Sequence, residues 1–337
     1  MKAWQIEGSF GLDHLVSTSV ESPSPGPGQL KLAMKSASLN FRDLLMVQGL
    51  YNPRQPLPLV PCSDGVGEVV EVGEGVDEEW MGKRVMPIFA QAWSSGEPTK
   101  PKLKSTLGGP RPGTLSEEMV VSAEGVVEVP AYLSDEEAAS LPCAAVTAWN
   151  ALVEQGGIQA GDRVLTLGTG GVSTFAIKIA KAQGAEVIVT SSSDEKLEKA
   201  LAMGADHGIN YVDDPEWGKT AKELSGGRGV DLVVEVGGAG TLEQSTKAVR
   251  IGGQISLIGV LSGQMEGFNI TPILMQNIRI QGVIVGHREM VERMVRAFEL
   301  HEITPEMDKV FGFDEVPAAF ERMAQGAHLG KIGINVG

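Results

Sequence analysis

The spacing of apolar positions changes rhythm along the chain. Leu30, Leu32 and Met34 alternate with Lys31, Ala33 and Lys35, the period-two pattern of a strand with one buried face. Val66 to Val72 alternates less cleanly and is bracketed by Gly65, Gly67, Gly73 and Gly75. The stretches 23–28 and 53–61, rich in proline, are connections rather than elements. Residues 90–113 form a long lobe rich in Gly, Pro and Lys, which predicts a functional or mobile loop. Near Ser134 the rhythm switches. Ser134 and Glu137 have capping-box spacing and predict a helix running toward Val153, which Pro142 must kink or interrupt. Short apolar runs at Arg163–Leu167, Glu186–Thr190, Asp231–Val236, Gln254–Ile258 and Ile278–Val285 then read as buried strands. Between them, Gly171–Gln183, Asp194–Met203, Glu216–Leu224 and Leu242–Val249 read as helices. Strands alternating with helices mean βαβ units and a parallel sheet. An amphipathic helix at Arg288–Leu300 precedes a tail too short for a domain, expected to pack back on the N-terminal region.

A chain of 337 residues is long enough for two domains. The expected division is 1–127 with 288–337 as a β-rich domain, and 128–287 as a doubly wound α/β domain. The formal charge of −15 repels phosphate backbones and anionic lipid, which argues against nucleic-acid and membrane partners. No run approaches the roughly 20 apolar residues of a membrane span. The opening residues go straight into strand-like alternation without a secretory pattern. With only Cys62 and Cys143, the composition fits a reducing cytoplasm.

Candidate chemistry enters at residues 164–183. Val164 to Leu167 runs into Gly168-Thr169-Gly170-Gly171-Val172-Ser173 and then a helical pattern. This strand, glycine turn and helix form the dinucleotide-binding fingerprint. Gly168 permits the tight turn, and Gly170 lets the backbone approach a pyrophosphate seated at the helix N-terminus. Ser173 takes the place of the third glycine. Sites that prefer NAD carry an acid at the end of the second strand. Here that place holds Thr190-Ser191-Ser192-Ser193, and Lys196 lies one turn into the next helix. Hydroxyls and a cation suit a 2′-phosphate, so NADPH is the expected cofactor.

The whole chain resembles the medium-chain dehydrogenase/reductase superfamily, and most closely its zinc-free, quinone oxidoreductase-like branch. The resemblance is carried by Ala37 to Asp43, by Pro61-Cys62-Ser63-Asp64-Gly65-Val66-Gly67 with Val69 to Gly73, and by Thr169 to Val172. Gly204-Ala205-Asp206, Ile209-Asn210-Tyr211, Val234 to Gly238 and the closing Leu329-Gly330-Lys331-Ile332 add to it. It implies a GroES-like catalytic domain, a Rossmann domain, and a cleft between them where nicotinamide meets a small-molecule electrophile. It also implies that Lys196 and Tyr211 hold the 2′-phosphate, that Lys331 approaches it or the cofactor's edge, and that Thr147 contacts the cofactor. Gly237 and Gly238 would flank the adenosine side, whereas Gly259, Val260 and residues 283–285 (Val283 and Val285 among them) would line the nicotinamide and its ribose. Asn40 would contact nicotinamide. Edge-to-edge pairing of two Rossmann sheets near Ile278–Val285 would give a homodimer.

A catalytic zinc needs three protein ligands, usually Cys and His. In the zinc branch these would fall at Asn40, Ser63 and Cys143, two of which are not zinc-type ligands. The structural-zinc lobe, residues 90–113, has no cysteine at all. No metal is therefore expected. Without one, hydride transfer suits a quinone or an α,β-unsaturated carbonyl, which delocalises the incoming charge onto its own oxygen. The candidate donors to that oxygen are Asn40, Arg42 and Tyr51, and Arg42 is equally suited to pairing with Asp43. Cys143 reads as a core thiol, and His287 as interdomain packing more than a site residue. The alternatives are an alcohol or aldehyde dehydrogenase of the same superfamily, and a non-catalytic, crystallin-like protein that binds NADPH.

Overall fold

A computed structural model describes residues 1–261, 263 and 267–337. The chain forms two compact units, Met1–Val146 with Gly286–Gly337, and Thr147–Val285. The first junction therefore falls at Val146 and not at residue 127. Side chains of the first unit hold the intervening segment. Arg84 donates to the Leu133 carbonyl and pairs with Asp135, and the Tyr132 hydroxyl donates to the carbonyls of Ile303 and Phe298. Ser134 and Glu137 make the expected reciprocal cap of the helix Asp135–Ala138, and a wider helical turn at Leu141–Ala145 follows where Pro142 interrupts it.

In the second unit six strands form one parallel sheet. Across it the order is His207–Asn210, Glu186–Ser191, Arg163–Leu167, Val230–Glu235, Val249–Leu257 and Arg279–Gly282. The first strand in sequence is central and the two halves wind outward from it, as in dinucleotide-binding sheets. Leu165, Ile188, Val233 and Ile255 are fully buried at its centre. The final strand is shorter than the apolar run Ile278–Val285. Asn277 and Val285 have positive φ, 51° and 38°, and extended pairing stops between them.

The first unit is β-rich, with a GroES-like arrangement. Gln29–Leu39 is its longest strand. It pairs antiparallel with Asp64–Val72, Glu118–Ser122 and the C-terminal strand Lys331–Asn335. Leu30, Leu32 and Met34 point inward as their alternation predicts. The tail does pack back here, with Ile332 opposite Leu39. The lobe at 90–113 is anchored more firmly than a mobile loop. It holds a short helix, Lys100–Leu103, and isolated bridges pair Ala90 with Thr106 and Leu107 with Arg111. Gly113 presses so closely on the chain at Cys62 that an added Cβ would sit 2.1 Å from the Cys62 carbonyl oxygen.

Candidate active site

In the second unit the glycine turn is open. Gly168 has φ +70°, and a Cβ built on it or on Gly170 would meet nothing within 4 Å. Gly170 precedes the helix Gly171–Ala182, whose first amides have no acceptor within the helix. Below the turn the packing is tight. Ser173 donates its hydroxyl to the Leu167 carbonyl at 2.6 Å, so the serine at the third-glycine place ties helix to strand. The Gly168 amide donates to Thr190 Oγ1 at 3.4 Å. Thr169 is buried, while Gly171 and Val172 are half-buried beside it.

The hydroxyl cluster lies at the adjoining strand ends. Ser191 is buried and accepts from the Ser193 amide; Ser192 is exposed. Ser193 caps the helix Asp194–Ala202 by accepting from the Lys196 amide. Tyr211 donates its amide to the Ser191 carbonyl at 3.0 Å and leaves its ring exposed. Ser191, Ser192, Lys196 and Tyr211 thus share one end of the sheet. Sequence reasoning missed an acid there, Asp194, whose carboxylate accepts from the Asn210 amide group at 2.8 Å.

Gly237 and Gly259 answer to a different constraint. A Cβ on Gly237 would lie 2.4 Å from Thr241 Oγ1, and one on Gly259 would lie 2.2 Å from the Val236 carbonyl oxygen. Close chain packing alone accounts for both glycines. The turn is held by Glu235, fully buried, whose carboxylate accepts from the amides of Gly237 and Gly238 and from the hydroxyls of Thr241 and Ser245. An acid inside an apolar strand run was the available signal for such an internal anchor. Of the remaining expected cofactor positions, Thr147 and Val283 are buried and Val260 is exposed. The Val285 carbonyl accepts from Asn150 Nδ2 at 2.8 Å. A β-branched residue at positive φ is a backbone outlier that its surroundings must enforce.

In the first unit a polar cluster is built around Asn40. Asn40 caps the helix Phe41–Val47, and its backbone N–H donates to Asp43 Oδ2 at 2.9 Å. Its Oδ1 accepts from Lys331 Nζ at 2.6 Å, and its Nδ2 donates to Ser63 Oγ at 3.2 Å. Ser63 in turn donates to Asp64 Oδ1 at 2.9 Å, and Asp64 Oδ2 accepts from the Cys143 amide at 3.1 Å. Lys331 Nζ also donates to the Leu39 carbonyl at 2.8 Å and lies 3.8 Å from Asp64 Oδ2. Lys331 is only 3% exposed, so its ammonium is committed here rather than reaching toward a phosphate. Burial raises the pKa of Asp64 to about 6 despite the opposing pull of Lys331, and raises that of Asp43 against the charge of Arg42. Burial likewise pushes both thiols upward, Cys62 and Cys143, so neither is a ready nucleophile; both are unpaired.

Arg42 donates to the carbonyls of Leu107 and Gly109 and pairs with Asp43 at 3.2 Å. Its guanidinium lies 4.9 Å from the Tyr51 ring centre and 5.0 Å from that of Phe89. It clamps the 90–113 lobe, and the ion-pair alternative of the sequence reading describes it well. Tyr51 stacks on that clamp and is 53% exposed. His287 is buried with its ring 5.6 Å from that of Trp93, within the first unit.

Residues 26–131 match a family model for the alcohol dehydrogenase GroES-like domain, and residues 171–299 match one for zinc-binding dehydrogenases. A zinc-type alcohol dehydrogenase-like protein of Schizosaccharomyces pombe is 43% identical over 97% of this chain and 96% of its own. The chain belongs to the medium-chain dehydrogenase/reductase superfamily. It is also similar to the crystal structure of a candidate alcohol dehydrogenase from Sinorhizobium meliloti, with TM-score 0.93 and 41% identity over 99% of this chain and 98% of that one. An acryloyl-coenzyme A reductase of Metallosphaera sedula is 28% identical over 93% of this chain and 94% of its own.

Membership of this superfamily makes the protein an oxidoreductase that uses a nicotinamide dinucleotide, and the open glycine turn fits that cofactor. Zinc is a different matter, although some relatives carry it in their names. Among the described residues no group of three His, Cys, Asp or Glu side chains comes together to hold a metal. Where the zinc branch has its ligands, this member has the amide of Asn40, the hydroxyl of Ser63 and the thiol of Cys143, with the Lys331 ammonium bound to Asn40 Oδ1. That donor set does not fit zinc.

Proposed function

We propose that the protein is an NADPH-dependent, zinc-independent reductase that transfers hydride to a quinone or to the β-carbon of an α,β-unsaturated carbonyl. The observation that carries this reading is the cluster of Asn40, Ser63, Asp64 and Lys331, which offers hydrogen-bond donors but no set of metal ligands. An alcohol needs strong polarisation before it can give up a hydride. A conjugated carbonyl already spreads the arriving charge onto oxygen, and a neutral donor suffices.

When bound, the reduced nicotinamide supplies the hydride. The backbone of Gly168, Thr169, Gly170, Gly171 and Val172 would hold the pyrophosphate at the helix N-terminus. Ser191, Ser192, Lys196 and Tyr211 would hold the 2′-phosphate, which is the basis for favouring NADPH. With Arg42 committed to the lobe, Asn40 and Tyr51 are the donors offered to the substrate oxygen, and solvent protonates the enolate carbon. Apolar residues stand exposed near the edge strand Arg279–Gly282 (Ile251, Ile270, Leu274, Met275 and Ile284), and they support a homodimer joined at that edge. Residues 264–266, within the irregular segment 263–270 that would contribute to the substrate pocket, lie outside the described residues.

Oxidation of alcohols is the second reading, favoured by the names of the Schizosaccharomyces pombe and Sinorhizobium meliloti relatives. NADPH consumption with quinones, enones and aldehydes, and NADP+ reduction with alcohols, each with and without a strong chelator, separates the two. Turnover of quinones or enones that ignores the chelator supports the proposal. Activity confined to alcohols and aldehydes and lost on chelation contradicts it.

A further inference from the structure

We infer that Lys331, backed by Asp64, is the positioning residue that fixes which way the Asn40 amide faces. This rests on the reductase reading above, in which Asn40 donates to the substrate oxygen.

The C-terminal strand delivers Lys331 to this place. Ile332 pairs with Leu39, so the preceding lysine arrives beside Asn40 at the end of the long strand. The entry is fixed. Lys331 donates its amide to the Glu306 carbonyl at 2.8 Å, and Gly330, with φ +72°, approaches that same carbonyl so closely that a Cβ would lie 2.1 Å from its oxygen. A buried ammonium needs partners, and this one has the Leu39 carbonyl, Asn40 Oδ1 and the Asp64 carboxylate.

The chemistry of the lysine then dictates the rest. An ammonium has three donors and no acceptor, so the Asn40 oxygen must face it and the NH2 must face away. One N–H of that group goes to Ser63 Oγ. Since the Ser63 oxygen accepts there, its own proton is directed to Asp64 Oδ1. Asp64 closes the ring on the ammonium. Every link has one direction, and the second N–H of Asn40 remains as a donor of fixed aim. Turning the amide over would break the charge-assisted bond to Lys331 and present an acceptor where a developing oxyanion needs a donor.

The test uses the full chain with asparagine-selective 15N labelling and compares wild type with Lys331→Arg, Lys331→Met and the double variant Asp64→Asn/Lys331→Met. The double variant guards against misfolding, because it removes both buried charges together. The side-chain NH2 pair of Asn40, assigned by its loss in Asn40→Ala, should move and broaden in the two methionine variants and be retained in Lys331→Arg. In parallel, kcat for an enone should fall by about tenfold or more in the double variant. KM for NADPH should stay within about twofold, because the groups proposed to hold the pyrophosphate and the 2′-phosphate are untouched in these variants. Lys331→Arg should recover most of the lost kcat. An unchanged Asn40 signal in the double variant overturns the inference, and so does a changed signal with unchanged kcat. If the wild type reduces no quinone or enone, the reductase reading fails on its own, and the Asn40 signal still decides whether Lys331 positions the amide.

Discussion

The glycine turn at 168–171 and the cluster around Lys331 are both polar, yet they are built in opposite ways. At the turn, side chains have been removed. Gly168 and Gly170 face open space, and the donors there are backbone amides at a helix start. Around Lys331 the donors and acceptors are side chains, and Lys331, Ser63 and Asp64 already have partners from the protein. A site that grips an anion through its backbone must stay empty until the ligand arrives. A site that orients a single donor must be satisfied beforehand, because an unpaired buried group costs more than it gives. The two regions should therefore respond differently to mutation, one losing binding and the other losing stability.

The largest effect should come from removing the lysine alone. Lys331→Met leaves Asp64 buried without its cation and should cost roughly 3–5 kcal/mol at pH 8, read from urea unfolding. Asp64→Asn/Lys331→Met should regain most of that. The penalty of the single variant should shrink at pH 5, where the isolated carboxyl can protonate. Equal penalties at both pH values would mean that packing, not charge, holds the cluster.

Gly113→Ala and Gly170→Val set the comparison most sharply. The first forces a Cβ to within 2.1 Å of the Cys62 carbonyl oxygen. It should cost about 2 kcal/mol or more in stability while leaving cofactor affinity unchanged. The second adds bulk where the protein has nothing within 4 Å and where φ, at −77°, tolerates a side chain. Thermal stability should hold, while NADPH affinity by fluorescence titration falls about 100-fold. Similar losses of stability in both would erase the distinction.

Lys196→Glu should lower the preference for NADPH over NADH by at least about tenfold, measured as the ratio of kcat/KM. Unaltered preference would remove Lys196 from the phosphate site. The last effect concerns pH. The carboxyl of Asp64 has a pKa of about 6 in the folded protein, above the ordinary 3.8. Between those values the folded protein holds a proton that the unfolded chain has released. This contribution to stability is therefore complete below about pH 4 and lost as pH rises through about 6. The stability difference between wild type and Asp64→Asn should slope across that window and flatten outside it.

Local signals carried most of the second unit. The run Arg163–Leu167 is observed as a strand with those bounds, and Gly171–Ala182 begins where the glycine turn predicts. His207–Asn210 was not legible, because four residues with one apolar side chain make no run. The cluster around Lys331 was hidden for another reason. Lys331 and Leu39 lie 292 positions apart, and no local period announces such a contact. The Asn40 and Ser63 positions could be compared with zinc ligands in sequence. That a lysine from the last strand brings its ammonium between them and Asp64 could not.

The most direct test of metal-free hydride delivery uses NADPH deuterated at both C4 positions, metal-stripped protein and an enone, with the product examined by mass spectrometry and NMR. The account expects one deuterium, on the β-carbon, at a rate unchanged by added zinc. Deuterium on the carbonyl carbon, or product formed only after zinc is restored, would contradict it.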